Sequence, residues 1–86
     1  MRVLVTGDRG AAGARVAGFL TGCGYEVAGF DRTDGADVLD LAAIRRTARG
    51  CTAIVHLAAL AHDSAGSPEQ IMAVNVLGTW HMLKQP

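Results

Sequence analysis

Gly7, Gly10 and Gly13 recur at intervals of three in the stretch Thr6-Gly7-Asp8-Arg9-Gly10-Ala11-Ala12-Gly13. The apolar run Val3-Leu4-Val5 precedes them and a helical pattern follows. A strand, a glycine-rich turn and a helix, in that order, form the context in which main-chain amides cradle a pyrophosphate. Gly7 lets the chain turn at a φ that a Cβ disfavours. Gly10 removes side-chain bulk where backbone would meet phosphate, and Gly13 lets helix and strand pack closely. The start of the helix carries unpaired N–H groups and about half a positive charge, so the N–H groups of Ala11 and Ala12 are the expected phosphate donors. The spacing is Gly-x-x-Gly-x-x-Gly, which departs from the commoner Gly-x-Gly-x-x-Gly. A plain loop is the competing reading, and the correctly ordered flanks favour the dinucleotide turn. A Walker loop is excluded, because neither Gly-Lys-Ser nor Gly-Lys-Thr occurs.

A second chemical group stands about 20 residues beyond the glycines, where a dinucleotide-binding unit keeps an acid for the ribose. This is Asp31, at the end of the apolar segment Tyr25–Phe30. A carboxylate there accepts hydrogen bonds from ribose hydroxyls and repels a 2′-phosphate, which favours NAD over NADP. Arg32 pulls the other way, since an arginine can pair with that phosphate. The competing reading is that Asp31 merely starts a turn.

Other polar groups carry less. His56 lies inside an apolar segment and reads as a packed, hydrogen-bonded side chain rather than a ligand or base. His62-Asp63-Ser64 has the residue types of a hydrolase relay, but contiguous residues rarely aim into one relay. Cys23 and Cys51 form no CxxC pattern and no ligand cluster with the histidines, and read as reduced thiols of a cytoplasmic protein.

The elements that must position these groups follow from periodicity. The expected strands are Val3–Val5, Tyr25–Phe30, a short Asp37–Leu39 and Ala53–Leu57. The first helix follows the glycines, with Val16, Leu20 and Cys23 on one face, widened by Ala17 and Phe19, and it stops at Gly22 and Gly24. Asp40 caps a second helix from Leu41 to about Arg49, whose buried stripe is Leu41, Ile44 and Ala48 and whose arginines Arg45, Arg46 and Arg49 are solvated. Ser67, Pro68 and Gln70 start a third helix through a capping box, and it runs through Ile71, Val74 and Leu77 toward Leu83. Right-handed crossovers then give an α/β fold, the first half of a doubly wound Rossmann-type parallel sheet with strand order 3-2-1-4.

With 86 residues, half of them hydrophobic, and no formal net charge, the chain is one small domain at most. Neutrality gives no reason to expect nucleic acid or an anionic membrane as partner. No apolar run approaches a membrane span, and the first residues lack a signal-peptide layout.

Taken together, Thr6-Gly7-x-x-Gly10-x-x-Gly13, Asp31, Asp40-Leu41, His56-Leu57-Ala58-Ala59 and Asn75-x-x-Gly78-Thr79 resemble the extended short-chain dehydrogenase/reductases. Within them, the chain resembles the NAD-dependent epimerase/dehydratase group that acts on nucleotide-sugars. The resemblance implies that Asp40 and Leu41 meet the adenine, and that Leu57, Ala58 and Ala59 run along the cofactor. Spacing alone leaves Asn75 either a solvated or core amide or a cofactor-side residue; the resemblance places it near the cofactor. Asp8 and Arg9 stand where the family often has small residues, in the turn but clear of the phosphate.

The family's chemistry rests on a Tyr-x-x-x-Lys pair and a Ser or Thr further along. Here the one tyrosine is Tyr25 and the one lysine is Lys84, in the wrong order and context. The chain therefore reads as the amino-terminal, dinucleotide-binding piece of a longer enzyme, without turnover of its own. A nucleotide-sugar would be a partner only of a full-length form. The alternative is a non-catalytic dinucleotide-binding or regulatory module. In either case the fourth expected strand would be left as an apolar edge, which predicts self-association.

Overall fold

Val3, Leu4, Val5 and Thr6 are all buried, as a strand covered on both faces requires. They belong to β1 (Arg2–Thr6), the middle of a three-stranded parallel sheet. The computed structural model describes residues 1–60 and 66–85. In chain order β1 is followed by α1 (Ala11–Gly22), β2 (Glu26–Phe30), a 3₁₀ turn (Arg32–Asp34), α2 (Leu41–Ala48) and β3 (Ala53–His56). The last helical stretch has three parts: α3 (Pro68–Met72), a π-helical segment (Ala73–Leu77) and α4 (Gly78–Leu83).

The sheet order is β2-β1-β3. The register pairs Thr6 with Phe30 on one side and with His56 on the other. Alternation along the strands sends Leu4, Ala28, Phe30 and Ile54 to one face, where they pack with Val38, Ile44 and Met82. Leu4 and Ile44 are fully buried, which contributes about 2–3 kcal/mol each. The opposite face takes α1, which contacts β1 and β2.

Local signals explain the ends of the elements. The Asp40 carboxylate accepts from the N–H of Ala43 and starts α2. The Ser67 hydroxyl accepts from the N–H of Gln70, whose side chain accepts in return from the N–H of Ser67. Gly24 follows α1 with φ +92°, the left-handed value expected there. Ile44 is buried between half-buried Leu41 and Ala48, and Arg45, Arg46 and Arg49 are exposed, as the helical pattern requires.

Two expectations need correction. Asp37–Leu39 is not a strand, so among the described residues the sheet has three strands rather than four, in the expected relative order. The Asp37 carboxylate accepts from the N–H of Leu39, and the Asp37 carbonyl accepts from the N–H of Asp40. The segment thus spends its amides on its own turn rather than on β2, while Val38 still enters the core. Phe19 and Cys23 are exposed, Phe19 by 71%, so the buried side of α1 is narrower than its apolar stripe. Met72, Val76, Trp80 and Leu83 likewise present an exposed apolar face along the last helical stretch. No helix among the described residues is long and apolar enough to cross a membrane.

Candidate functional site

The sheet register builds the site. Because Thr6 is level with both Phe30 and His56, the residues that follow them, Gly7, Asp31 and Leu57, emerge side by side at the carboxyl edge of the sheet. All three line a cleft of about 690 Å³. A volume of this order suits a small-molecule or cofactor site, and the carboxyl edge is where open parallel sheets bind ligands.

The glycine-rich turn forms one wall. Gly7 has φ +69°, and a Cβ there would stand 3.0 Å from the amide nitrogen of Ala58, so a side chain would collide with the opposite wall. A Cβ on Gly13 would stand 2.6 Å from the carbonyl carbon of Gly7, so helix and turn close only around glycine. Gly10 lines the cleft and is the N-cap of α1, with extended backbone and no side chain capping the first amides. The amino end of α1 is therefore left without a protein side-chain acceptor. Ala11 and Ala12 occupy its exposed first turn; they and buried Gly13 lie outside the lining of the cleft itself.

Asp31 closes the end of β2 and is buried. Oδ1 accepts from the N–H of Arg9 (3.1 Å), and Oδ2 accepts from both the N–H and the hydroxyl of Thr33 (2.9 and 2.7 Å). The two Thr33 bonds hold its pKa below the ordinary carboxylate value; Arg9 assists through its N–H and its charge, and burial opposes them. A carboxylate has about four acceptor positions, so Asp31 is ionised with three positions used and one left on Oδ1. Asp31 caps the 3₁₀ turn and also lines the cleft. Arg32 lines the cleft and is exposed. The Arg9 guanidinium meets the Asp34 carboxylate at 3.7 Å in an exposed pair worth little. Asp8 lays its carboxylate against Gly29, where a Cβ would stand 2.7 Å from its Cγ. Its Oδ1 is buried and without a hydrogen-bond partner among the described residues.

The third wall is Leu57-Ala58-Ala59-Leu60. The Thr6 hydroxyl accepts from the N–H groups of Leu57 (3.0 Å) and Ala58 (3.1 Å). At the far end Asn75 clasps Leu60: its Oδ1 accepts from the Leu60 N–H (2.7 Å) and its Nδ2 donates to the Leu60 carbonyl (3.0 Å). Asn75 itself does not line the cleft, and its amide is spent on the wall.

On the remaining side the cleft is lined three residues before Asp40. Asp37, Val38 and Leu39 line the cleft; Asp40 and Leu41 do not, because the Asp40 side chain is committed to capping α2. The apolar pair Val38-Leu39 suggested a strand and hid this wall; the Asp37 side-chain turn is the signal that would have found it. Glu69 and Gln70, at the start of α3, also reach the cleft and carried no sequence signal beyond the cap. His56 is half-buried and hydrogen-bonded on both ring nitrogens, as a packed histidine should be. His62-Asp63-Ser64 lies outside the described residues. Tyr25 precedes β2 at the opposite edge of the sheet, and Lys84 follows α4; neither lines the cleft.

Comparison with known proteins sets this geometry in context. Residues 3–85 match the model of the NAD dependent epimerase/dehydratase family. A short-chain dehydrogenase/reductase superfamily protein from Agrobacterium tumefaciens, solved with bound NAD, is 32% identical with a TM-score of 0.83, over 96% of this chain and 28% of its own. A Burkholderia cenocepacia J2315 protein, provisionally named an epimerase, is 33% identical with a TM-score of 0.76, over 95% of this chain and 31% of its own. The chain thus spans about a third or less of the length of these neighbours. No curated protein matches it.

Proposed function

Since the chain belongs to the NAD-dependent epimerase/dehydratase family, we propose that it is the dinucleotide-binding portion of an oxidoreductase-type enzyme acting on nucleotide-sugars, with NAD preferred to NADP. The observation that carries this reading is the alignment of Gly7, Asp31 and Leu57 at one sheet edge beside the uncapped start of α1. The fit to a dinucleotide is physical. The turn is open where a Cβ at Gly10 would meet little but the Gly7 carbonyl, and α1 begins there with no side-chain cap at a helix end that favours anions.

In this reading Gly7, Gly10, Ala11, Ala12 and Gly13 hold the pyrophosphate, Asp31 takes a ribose hydroxyl on its free acceptor position, and Arg32 borders the same ribose. Asp37, Val38 and Leu39 flank the adenine in place of Asp40 and Leu41. Leu57, Ala58 and Ala59 form the wall along the cofactor, and Asn75 acts through Leu60. Bound NAD would supply a hydride acceptor and donor. The chain's own residues bind and orient it, and neither Tyr25 nor Lys84 is placed to move a proton in the cleft. The 86-residue chain on its own therefore binds without turnover. The outer edge of β3, which no strand pairs among the described residues, is where a further strand, or a second copy, would add.

Amide NMR tests the assignment. Adding NAD should shift the amides of Gly10 to Gly13 and of Leu57 to Ala59 together, and leave those of Arg45 to Arg49 unmoved. Shifts confined to other surfaces would reject it.

A further inference from the structure

The hydrogen bonds around His56 fix its tautomer. The Thr6 hydroxyl lies 2.6 Å from His56 Nδ1 and already accepts from the N–H groups of Leu57 and Ala58. A hydroxyl oxygen has two lone pairs and one proton, so both lone pairs are taken and its proton must point to Nδ1. On the other side His56 Nε2 is 3.1 Å from the Thr79 hydroxyl, which donates its own proton to the Asn75 carbonyl (2.7 Å). Thr79 therefore accepts, and Nε2 carries the hydrogen. The neutral Nε2–H imidazole is the state that satisfies every partner in this chain.

We propose that His56 is a positioning residue for the cofactor wall: as a neutral acceptor it orients the Thr6 hydroxyl that holds Leu57 and Ala58, and its protonation releases that wall and weakens dinucleotide binding. The proposal rests on the dinucleotide reading above. A proton on Nδ1 would face the Thr6 oxygen as a third donor, so one bond must break. Leu57 shares its N–H with the Thr6 carbonyl (3.2 Å), but among the described residues Ala58 has the hydroxyl as its one acceptor. A Cβ added at Gly7 would stand 3.0 Å from both the Ala58 nitrogen and the Leu57 carbonyl carbon, so the glycine-rich turn lies against this segment. Disorder at Ala58 thus reaches both walls.

Burial acts in the same direction, holding the His56 pKa below the ordinary imidazole value. A lowered pKa means that the unfolded chain takes up the proton first. The stability held by neutral His56 is therefore lost as pH falls below about 6.5. Among the described residues no charged group is bonded to His56. On the elements packed against β3, Arg2 begins β1 at the opposite end of the sheet, and exposed Lys84 follows α4. His81 on α4 bonds through Nδ1 to the carbonyl of Val38, another cleft residue. That bond requires a proton on Nδ1, the reverse of the His56 arrangement, in which Nδ1 accepts.

NMR of the 86-residue chain from pH 8 to pH 4.5 tests this without any variant. Imidazole ¹⁵N spectra should show His56 as the Nε2–H tautomer at pH 8. The Ala58 amide should then shift with the midpoint of His56. NAD affinity should fall about tenfold through the same midpoint, the scale of one lost hydrogen bond near a charged step. His56→Leu should bind weakly at all pH values. His56→Asn, which keeps an acceptor facing Thr6, should recover much of that loss and show no titration. An Nδ1–H tautomer, an Ala58 amide indifferent to His56, or an unchanged pH profile in His56→Asn would overturn the proposal. Absence of NAD binding at pH 8 would instead defeat the dinucleotide reading, with the tautomer and the Ala58 titration still deciding the role of His56.

Discussion

The backbone N–H of Arg9 donates to Oδ1 of Asp31 across 3.1 Å, so the carboxylate that faces the cleft also ties the glycine-rich turn to the end of β2. The glycine-rich wall and the wall at the end of β2 are therefore positioned by one side chain. Asp31→Ala should weaken NAD at least tenfold and NADP by less, because loss of the anion also relieves its repulsion of a 2′-phosphate. It should also cost about 1–3 kcal/mol of stability from the hydrogen bonds it removes. Calorimetric titration with each dinucleotide checks the first effect, and equal losses would take Asp31 away from the ribose.

The lowered pKa of Asp31 makes a separate prediction. Its folded pKa lies below its unfolded value, so the ionised group contributes stability that is complete above about pH 4 and disappears as pH falls through the folded pKa. Urea unfolding between pH 5 and pH 2.5 should show a steeper acid loss for the natural chain than for Asp31→Asn. Parallel acid limbs would mean that Thr33 and Arg9 do not favour the charged form.

Glycine at position 13 is required by backbone, not by preference. A methyl there meets the Gly7 carbonyl, which cannot give way without opening the turn. Gly13→Ala should lower stability by about 2–4 kcal/mol. Gly18, on the same helix, has open space around its added Cβ, and Gly18→Ala should raise stability by about 0.5–1 kcal/mol. Chemical denaturation of both variants decides the matter, and effects of the same sign would show that the turn is not packed as described.

Asn75→Ala should cost about 1–3 kcal/mol, because it strands the Leu60 N–H and carbonyl that the amide holds. Hydrogen exchange should report the loss at the Leu60 amide, with α1 unaffected. Full protection of Leu60 in the variant would remove Asn75 from the wall.

Much of this site was legible because its signals are local. The glycine spacing, the acid after β2 and the Ser67-Pro68-Gln70 start each act within a few residues, and each element forms where those residues placed it. What escaped depends on contacts distant in sequence or on a competition between neighbours. Asp37 and Asp40 both precede apolar residues; one turns onto Leu39 and borders the cleft, the other caps α2, and periodicity does not separate them. Asn75 finds its partner 15 residues away. Phe19 shows a third limit: helical spacing marks an apolar stripe without saying which part of it the chain itself covers.

The central claim is that the cleft at the ends of β1, β2 and β3 holds a nicotinamide dinucleotide. Isothermal calorimetry of the folded 86-residue chain near pH 8 tests it most directly. The account predicts saturable heat with NAD at one site, weaker with NADP and abolished in Gly10→Trp, which fills the turn. No heat with either dinucleotide on material whose fold is verified by circular dichroism would contradict it.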